Sequence, residues 1–382
     1  MTFDNKIVEE HEENQPTGVE SEDQDSSDRD ISRPYDPRKI RVDSKPYSIA
    51  QVIGLIGDGD LDIAPDFQRR RVWKNDQKSL LIESILLRIP LPVFYFAADE
   101  DGRMQVVDGV QRLSTIQGFM HNEFSLSKLE YLQKELLNKK YENIVNSIWS
   151  RRFLQTAIIV YVIDPQTPDD VKFDIFRRLN TGGTPLNSQE IRHCISKKRT
   201  RDFLGKLSGM DEFHNVVGDK IKNHVRMVDL ELALRYCAFK LLGDLDKYSE
   251  MDGMDDFLTK TVRKLDDPTV VSDKQLDSLE AGFKCAMDNA WVLFREHSFR
   301  KWRRNEDRIY PVNRSLFDVW SVSLSEMSSE FISIHREKIV KKFQKLIGDD
   351  KFIDAITSGT SKPAMVKFRF NAIKDLLGST MK

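Results

Sequence analysis

Apolar positions along this chain recur at two spacings, and the change from one to the other predicts two lobes. Ser48 is placed to cap a helix through IAQVIGLI, which the glycines and aspartates of GDGD then stop. A short strand is expected at 61–63. From Asp76 to Ile89, the residues Leu81, Ile82, Ile85, Leu86 and Ile89 keep helical spacing until Pro90 and Pro92 end the run. Strand-like VFYFAA (93–98) and RMQVV (103–107) flank a DEDG turn, and DGVQR then leads into a helix over LSTIQGFMH. The β-branched run AIIVYVI (157–163) predicts a further strand. After it Thr167 can cap a helix with Pro168 at its first position and Asp170 in its first turn; that helix carries FDIFRRL and closes at NTGGTP. Asn187 and Glu190 then have the spacing of a capping box for SQEIRHCISKK. From 187 onward the spacing is helical, as with Leu230, Leu234, Cys237 and Leu241.

This order predicts an α+β protein, with a mixed α/β lobe at 37–186 and an all-helical lobe at 187–382. A chain of 382 residues, 40% hydrophobic and 31% charged, has enough apolar material for both. Charge adds one feature: residues 1–32 hold eleven Asp and Glu against only Lys6 and Arg29, so the remainder is positive although the whole chain is near neutral. Residues 1–36 are therefore expected to be a disordered acidic tail, solubilising or shielding a basic surface on the body. Cys194, Cys237 and Cys285 are too few and too scattered for a disulfide framework, so reduced, mostly buried thiols are expected. The start of the chain lacks the pattern of a signal peptide and no run is long enough to span a membrane, which leads to the expectation of a cytoplasmic protein with no membrane partner.

Three short stretches could carry chemistry. In VVDGVQR an apolar strand ends at Asp108-Gly109 and turns at once into a helix, whose first-turn N–H groups, with Arg112 beside them, favour an anion. Asp108 would repel a phosphate, so its functional roles are to hold a metal ion, orient water or fix Arg112. Spacing alone favours the plainer reading, an Asp-Gly turn with an Asp cap and a surface arginine. In PDFQRRRVW, Gln68, Arg69, Arg70 and Arg71 cannot all face one core, so at least one guanidinium is free for an oxyanion; a solvated basic turn anchored by Trp73 is the alternative. In IFRRLNTGGTPLN, Asn180, Thr181, Gly182 and Gly183 form either an N–H-presenting loop or a helix C-cap.

Together and in this order, DFQRRRVW, LIESILLRIPLPVFYF, VVDGVQRLSTIQGF and FRRLNTGGTPLNSQEIR resemble the N-terminal domain of GmrSD-type restriction endonucleases. VDLELALRYCAF, MDDFLTK and NRSLFDVW extend the resemblance over roughly 45–330. It implies a fold related to ParB and sulfiredoxin domains, in which an Asp-Gly-Gln-Gln-Arg motif binds and helps hydrolyse a nucleoside triphosphate, with Mg2+, in defence against foreign and often modified DNA. Carried onto this chain, Asp108, Gly109, Gln111 and Arg112 occupy that motif, Gln68 and Arg69 the upstream pair, and Asn180 to Gly183 the Asn-Thr-Gly-Gly loop. Asp108 and Arg112 are then the catalytic candidates. Val110 stands where the family has a glutamine, which removes an amide and puts turnover in more doubt than binding.

The longer relatives also carry a His-Asn-His nuclease domain. His11, His121, His193, His214, His224, His297 and His335 show no such cluster, so no self-contained nuclease of that type is expected, and a partner nuclease would supply cleavage. DNA contact could come from two basic strips, Lys197, Lys198, Arg199 and Arg201, and Arg300, Lys301, Arg303 and Arg304; a solvated helix face is the commoner cause of either. The expectation is thus a DNA-restriction protein that binds and could hydrolyse a nucleoside triphosphate, with DNA as a partner and a homo-oligomer left open. The alternative is a nucleotide sensor or docking module without turnover.

Overall fold

The computed structural model of the protein describes residues 8–12, 15–21, 40–63, 73–179, 187–224, 226–304, 306 and 308–381. It divides into two units, one of Ile31–Ile195 and one of Met1–Asp30 with Ser196–Lys382. In the latter, strands β1 (Glu9–Glu12) and β2 (Gln15–Glu20) pair antiparallel. The former holds a five-stranded mixed sheet of β3 (Val42–Ser48), β4 (Leu61–Asp62), β5 (Phe94–Ala98), β6 (Met104–Asp108) and β7 (Ala157–Ile163), in the order β3-β7-β5-β6-β4. The β5/β7 and β4/β6 pairs are parallel and the others antiparallel.

Alternation along the strands sends side chains to two separate cores. Phe94, Phe96, Val106 and Val160 enter one core with residues of α1 (Ile49–Asp58), α2 (Asn75–Leu86) and α3 (Val110–Met120). The short α4 (Gln133–Leu136) and α5 (Ile148–Gln155) contribute Leu136 and Phe153 to the same core. Val107 and Ile163 face the other way, onto Phe173 and Phe176 of α6 (Asp169–Leu179) and Ile191 and Cys194 of α7 (Ser188–Ile195).

Local signals act largely as the sequence implies. Ser48 and Gln51 cap α1 reciprocally. The Glu190 N–H donates to Asn187 Oδ1 at 2.8 Å and the Asn187 N–H to Glu190 Oε2 at 2.7 Å, completing the box ahead of α7. Thr167 has a different partner from the one expected: its hydroxyl donates to the Arg41 carbonyl and accepts from the Arg41 N–H, tying the end of β7 to the start of β3.

From Ser196 onward the described residues form helices joined by turns and loops. The elements are α8 (Lys198–Ser208), α9 (Asp211–Val217), α10 (Val228–Leu242), α11 (Gly253–Asp266), α12 (Asp273–Phe294), α13 (Arg314–Leu324), α14 (Ser329–Leu346), α15 (Asp350–Thr357) and α16 (Pro363–Met381). No helix among the described residues is long and apolar enough to cross a membrane. The three cysteines are free, Cys194 and Cys237 buried and Cys285 half-buried.

The expected disordered tail does not hold for the described residues near the start of the chain. Val19 is buried in the helical core, and β2 exchanges backbone bonds with Val312, from the Glu20 N–H at 2.8 Å and to the Gly18 carbonyl at 2.8 Å. The Glu20 carboxylate is buried, pairs with the Lys301 ammonium and accepts from Asn313 Nδ2 at 3.0 Å. Local composition does not reveal this, because the apolar and cationic partners lie far along the chain, Lys301 being 281 residues from Glu20. Glu20→Gln keeps the shape and the Asn313 bond but removes the Glu20 charge beside Lys301. We expect a loss of about 1–3 kcal/mol in urea unfolding of the helical unit, and an unchanged midpoint would mean that Lys301 finds another partner.

Candidate functional site

Gly109 is the pivot of the most informative motif. Asp108 closes β6, and Gly109 then takes φ 99°, ψ 10° so that α3 starts at Val110. That left-handed conformation suits glycine, and a Cβ here would strike Cδ1 of the buried Phe94 and come within 2.8 Å of its Cε1. No side chain caps α3, so the plain reading with Asp108 as a cap is not what forms. The first-turn N–H dipoles of α3 therefore remain available to an anion.

Asp108 instead holds Arg112. Its Oδ2 accepts from Arg112 Nη2 at 2.6 Å, while Arg112 Nη1 donates to the Pro92 carbonyl and Nη2 to that of Val93 at 3.1 Å. The guanidinium lies 4.2 Å from the ring centroid of Phe94. Its side chain is only 12% exposed, against 33% for Asp108. Burial pulls the Arg112 pKa below the usual arginine value and Asp108 pushes it back, so the group stays cationic. The turn thus carries a fixed ion pair whose carboxylate is the more open partner.

Two neighbours complete the arrangement. Gln111 Oε1 is buried without a hydrogen-bond donor, an acceptor that suits an amine, a hydroxyl or water. Tyr95 stands opposite Asp108 in the strand register and stacks on Tyr161 at 5.3 Å; burial, then Tyr161 and Asp108, raise its pKa. Between the Tyr95/Asp108 and Phe96/Val106 pairs the register shifts by one residue, Val107, a bulge that re-aims the end of β6. Sequence reasoning missed Phe94 and the Pro92 and Val93 carbonyls; the run PLPVFYF was the available signal, since it ends a helix with two prolines and then supplies alternating aromatics.

Val110 is buried in the apolar core. Valine at this position therefore serves packing, and a glutamine here would have to bury its amide or turn it outward. Gln68, Arg69, Arg70, Arg71, Asn180, Thr181, Gly182 and Gly183 lie outside the described residues. Among the described residues no group of three His, Cys, Asp or Glu could hold a metal ion.

The basic strips are largely engaged within the fold. Arg300 is buried and donates to the carbonyls of Val216 and Ser298 at 2.8 Å and of Val217 at 2.5 Å; burial lowers its pKa to about 10. Lys301 is fully buried against Glu20. These two are therefore withdrawn from any nucleic-acid surface, which corrects the reading of that strip as a solvated or DNA-facing run; Arg303 is half-buried and Arg304 exposed. In the other strip Arg199 joins the Leu265 and Val271 carbonyls and Asp273, Lys198 pairs with Asp202 at 2.5 Å, and Arg201 bonds the Ser196 carbonyl at 3.2 Å. Lys197 is exposed, and its N–H donates to Asp266 Oδ1 at 3.0 Å.

Residues 49–196 match the family model described as the GmrSD restriction endonuclease, N-terminal domain. The match covers α1 to α7 and the whole Asp108–Arg112 turn, and stops short of the later segments that share the resemblance. No curated protein matches the chain.

Proposed function

Because residues 49–196 belong to the GmrSD restriction endonuclease N-terminal domain family, which implies a restriction-system protein, we propose that the Asp108–Arg112 turn binds a nucleoside triphosphate and hydrolyses it to control action on foreign DNA. The observation that carries this reading is the conjunction at one turn of an uncapped helix start, a fixed Asp108–Arg112 pair and the partnerless acceptor Gln111 Oε1. Phosphate oxygens would meet the first-turn N–H groups of α3, with Arg112 as the nearest fixed cation. Arg112 already spends three donations on Asp108, Pro92 and Val93, so its first task is to hold the turn in shape, and only its remaining N–H groups can reach a ligand. Asp108, the more open partner, would align the attacking water. Gln111 Oε1 would accept from a base amine or a ribose hydroxyl.

Magnesium, when bound, would neutralise phosphate charge. Asp108 would be its protein ligand. A single carboxylate fits that ion when the substrate phosphates complete its shell, as is common for magnesium. In this reading DNA is the target, and a partner nuclease makes the cut.

Burial of Val110 favours a second reading, a sensor that binds nucleotide without turning it over, since the family's first glutamine has no counterpart reaching the turn. Calorimetric titration of the full chain with each nucleoside triphosphate and magnesium, beside phosphate release, separates the two. Asp108→Asn keeps an acceptor for Arg112 and removes the charge; binding should persist while release falls roughly a hundredfold. Gln111→Leu should weaken binding with no loss of melting temperature. Wild-type binding without release selects the sensor, and no binding by wild type rejects both readings.

A further inference from the structure

Three arginines line a second place in the Ile31–Ile195 unit that the nucleotide reading does not use. Leu87 and Arg88, just past α2, and Ile148, Arg151, Arg152 and Gln155 of α5 line a groove of about 390 Å³. The α5 residues share one face through their i, i+3 and i, i+4 spacing. Arg88 and Arg151 are exposed, and Arg152 is half-buried with its guanidinium 5.2 Å from the Trp149 ring centroid. Arg88 is held in a left-handed conformation at φ 61°.

Among the described residues none of the three guanidinium groups has a carboxylate partner, and none donates to a helix carbonyl. Arg112 shows the contrast, because its donors are spent inside the fold. Arginines at helix C-termini commonly offset the carbonyl dipoles, but that role would bring their donors onto those carbonyls. Here three planar donor forks converge on a groove with their hydrogen-bonding capacity unused.

We propose that this groove is a contact surface for the phosphodiester backbone of a polynucleotide. A lone phosphate at exposed arginines gains little over water and salt. A row of phosphates releases a condensed counterion at each contact, so its affinity grows with the number of cations it meets. The buried Leu86 in the groove and the apolar Leu87 and Ile148 flanks suit a backbone laid across it better than a small anion enclosed by it. The identification of that polymer as DNA rests on the restriction-system reading. The connection that follows Arg88 also carries the Pro92 and Val93 carbonyls held by Arg112, and these hydrogen bonds link the groove to the nucleotide turn.

The test is fluorescence anisotropy of a labelled DNA duplex titrated with the full chain over a range of salt concentrations. The Arg88→Gln/Arg151→Gln/Arg152→Gln variant should bind at least tenfold more weakly at about 0.1 M salt, with the slope of log K against log salt shallower by about two to three. A control with Arg103→Gln, Lys134→Gln and Lys139→Gln removes the same charge from exposed positions of the same unit and should move neither quantity. Melting curves should match the wild type for both. The inference is overturned if the wild type does not bind the duplex, if the two triple variants behave alike, or if inorganic phosphate displaces the duplex better than chloride at matched ionic strength. Nucleotide calorimetry on the groove variant keeps the two readings apart: it should remain unchanged, and wild-type duplex binding without nucleotide binding would leave the groove standing while the Asp108–Arg112 reading fails.

Discussion

Asp318→Ala is expected to lower the stability of the helical unit by about 3–5 kcal/mol, measured as a shift in urea midpoint followed by tryptophan fluorescence. Asp318 of α13 is fully buried and stands between two arginines that are themselves inaccessible. Arg235 of α10 makes a two-pronged bond to it, Nε to Oδ1 and Nη2 to Oδ2, both at 2.8 Å, and Arg369 of α16 donates to Oδ2 at 3.1 Å. One carboxylate thus joins three helices. Its removal takes a shared counter-charge from two buried guanidinium groups, although Arg235 keeps Glu231 at 3.3 Å and Arg369 keeps the Thr360 carbonyl at 2.5 Å among their contacts. Breaking one side of a buried network costs more than the network is worth as a whole, because the surviving charges stay out of water with less counter-charge. Replacing all three by apolar residues of similar volume should therefore cost less than Asp318→Ala alone. A loss below about 1 kcal/mol for the single variant would mean that water enters and screens the arginines.

The sequence spoke clearly where neighbouring residues determine the outcome. Strand AIIVYVI, the Asn187–Glu190 box and the Asp108-Gly109 turn each depend on residues a few positions apart, and each forms where the local pattern puts it. It was silent where the partner is remote. Strand β3 carries Lys45 and Pro46 on an exposed sheet edge and shows no apolar alternation, so only its pairing with β7 defines it. The β1/β2 hairpin looks like a solvated acidic run until Lys301, Asn313 and Val312 are placed against it. The same contact explains why FRKWRR misled: a run of cations reads as surface unless the matching carboxylate is known. At the candidate site the turn and its ion pair were legible, whereas the clamp on Arg112 was not, because the Pro92 and Val93 carbonyls and the Phe94 ring come from a preceding strand. The Arg88, Arg151 and Arg152 groove was equally hidden, since its residues are ordinary surface arginines in sequence and become a group only through α2 and α5.

Gly109→Ala is expected to be as damaging as any single methyl group in the Ile31–Ile195 unit. The left-handed conformation at φ 99° costs a residue with a Cβ about 1–2 kcal/mol, and forcing that carbon against a buried ring adds about 1–3 kcal/mol. The ring cannot simply move aside, because Phe94 is fully buried on β5 and also supports the Arg112 guanidinium. The strain should therefore spread in two directions, into the core and into the ion pair. Unfolding of the sheet unit should shift to lower denaturant, and nucleotide binding, if the turn is the site, should weaken by more than the stability loss alone predicts, measured well below the unfolding transition. A double-mutant cycle isolates the cause. Phe94→Leu alone removes core volume and the ring under Arg112, but in the Gly109→Ala background it also relieves the clash, so its cost should be clearly smaller there. Additive effects would show that the methyl group is accommodated by a backbone shift at the turn. In that case the glycine would matter for its conformation, and the close approach of Phe94 would not be what restricts the position.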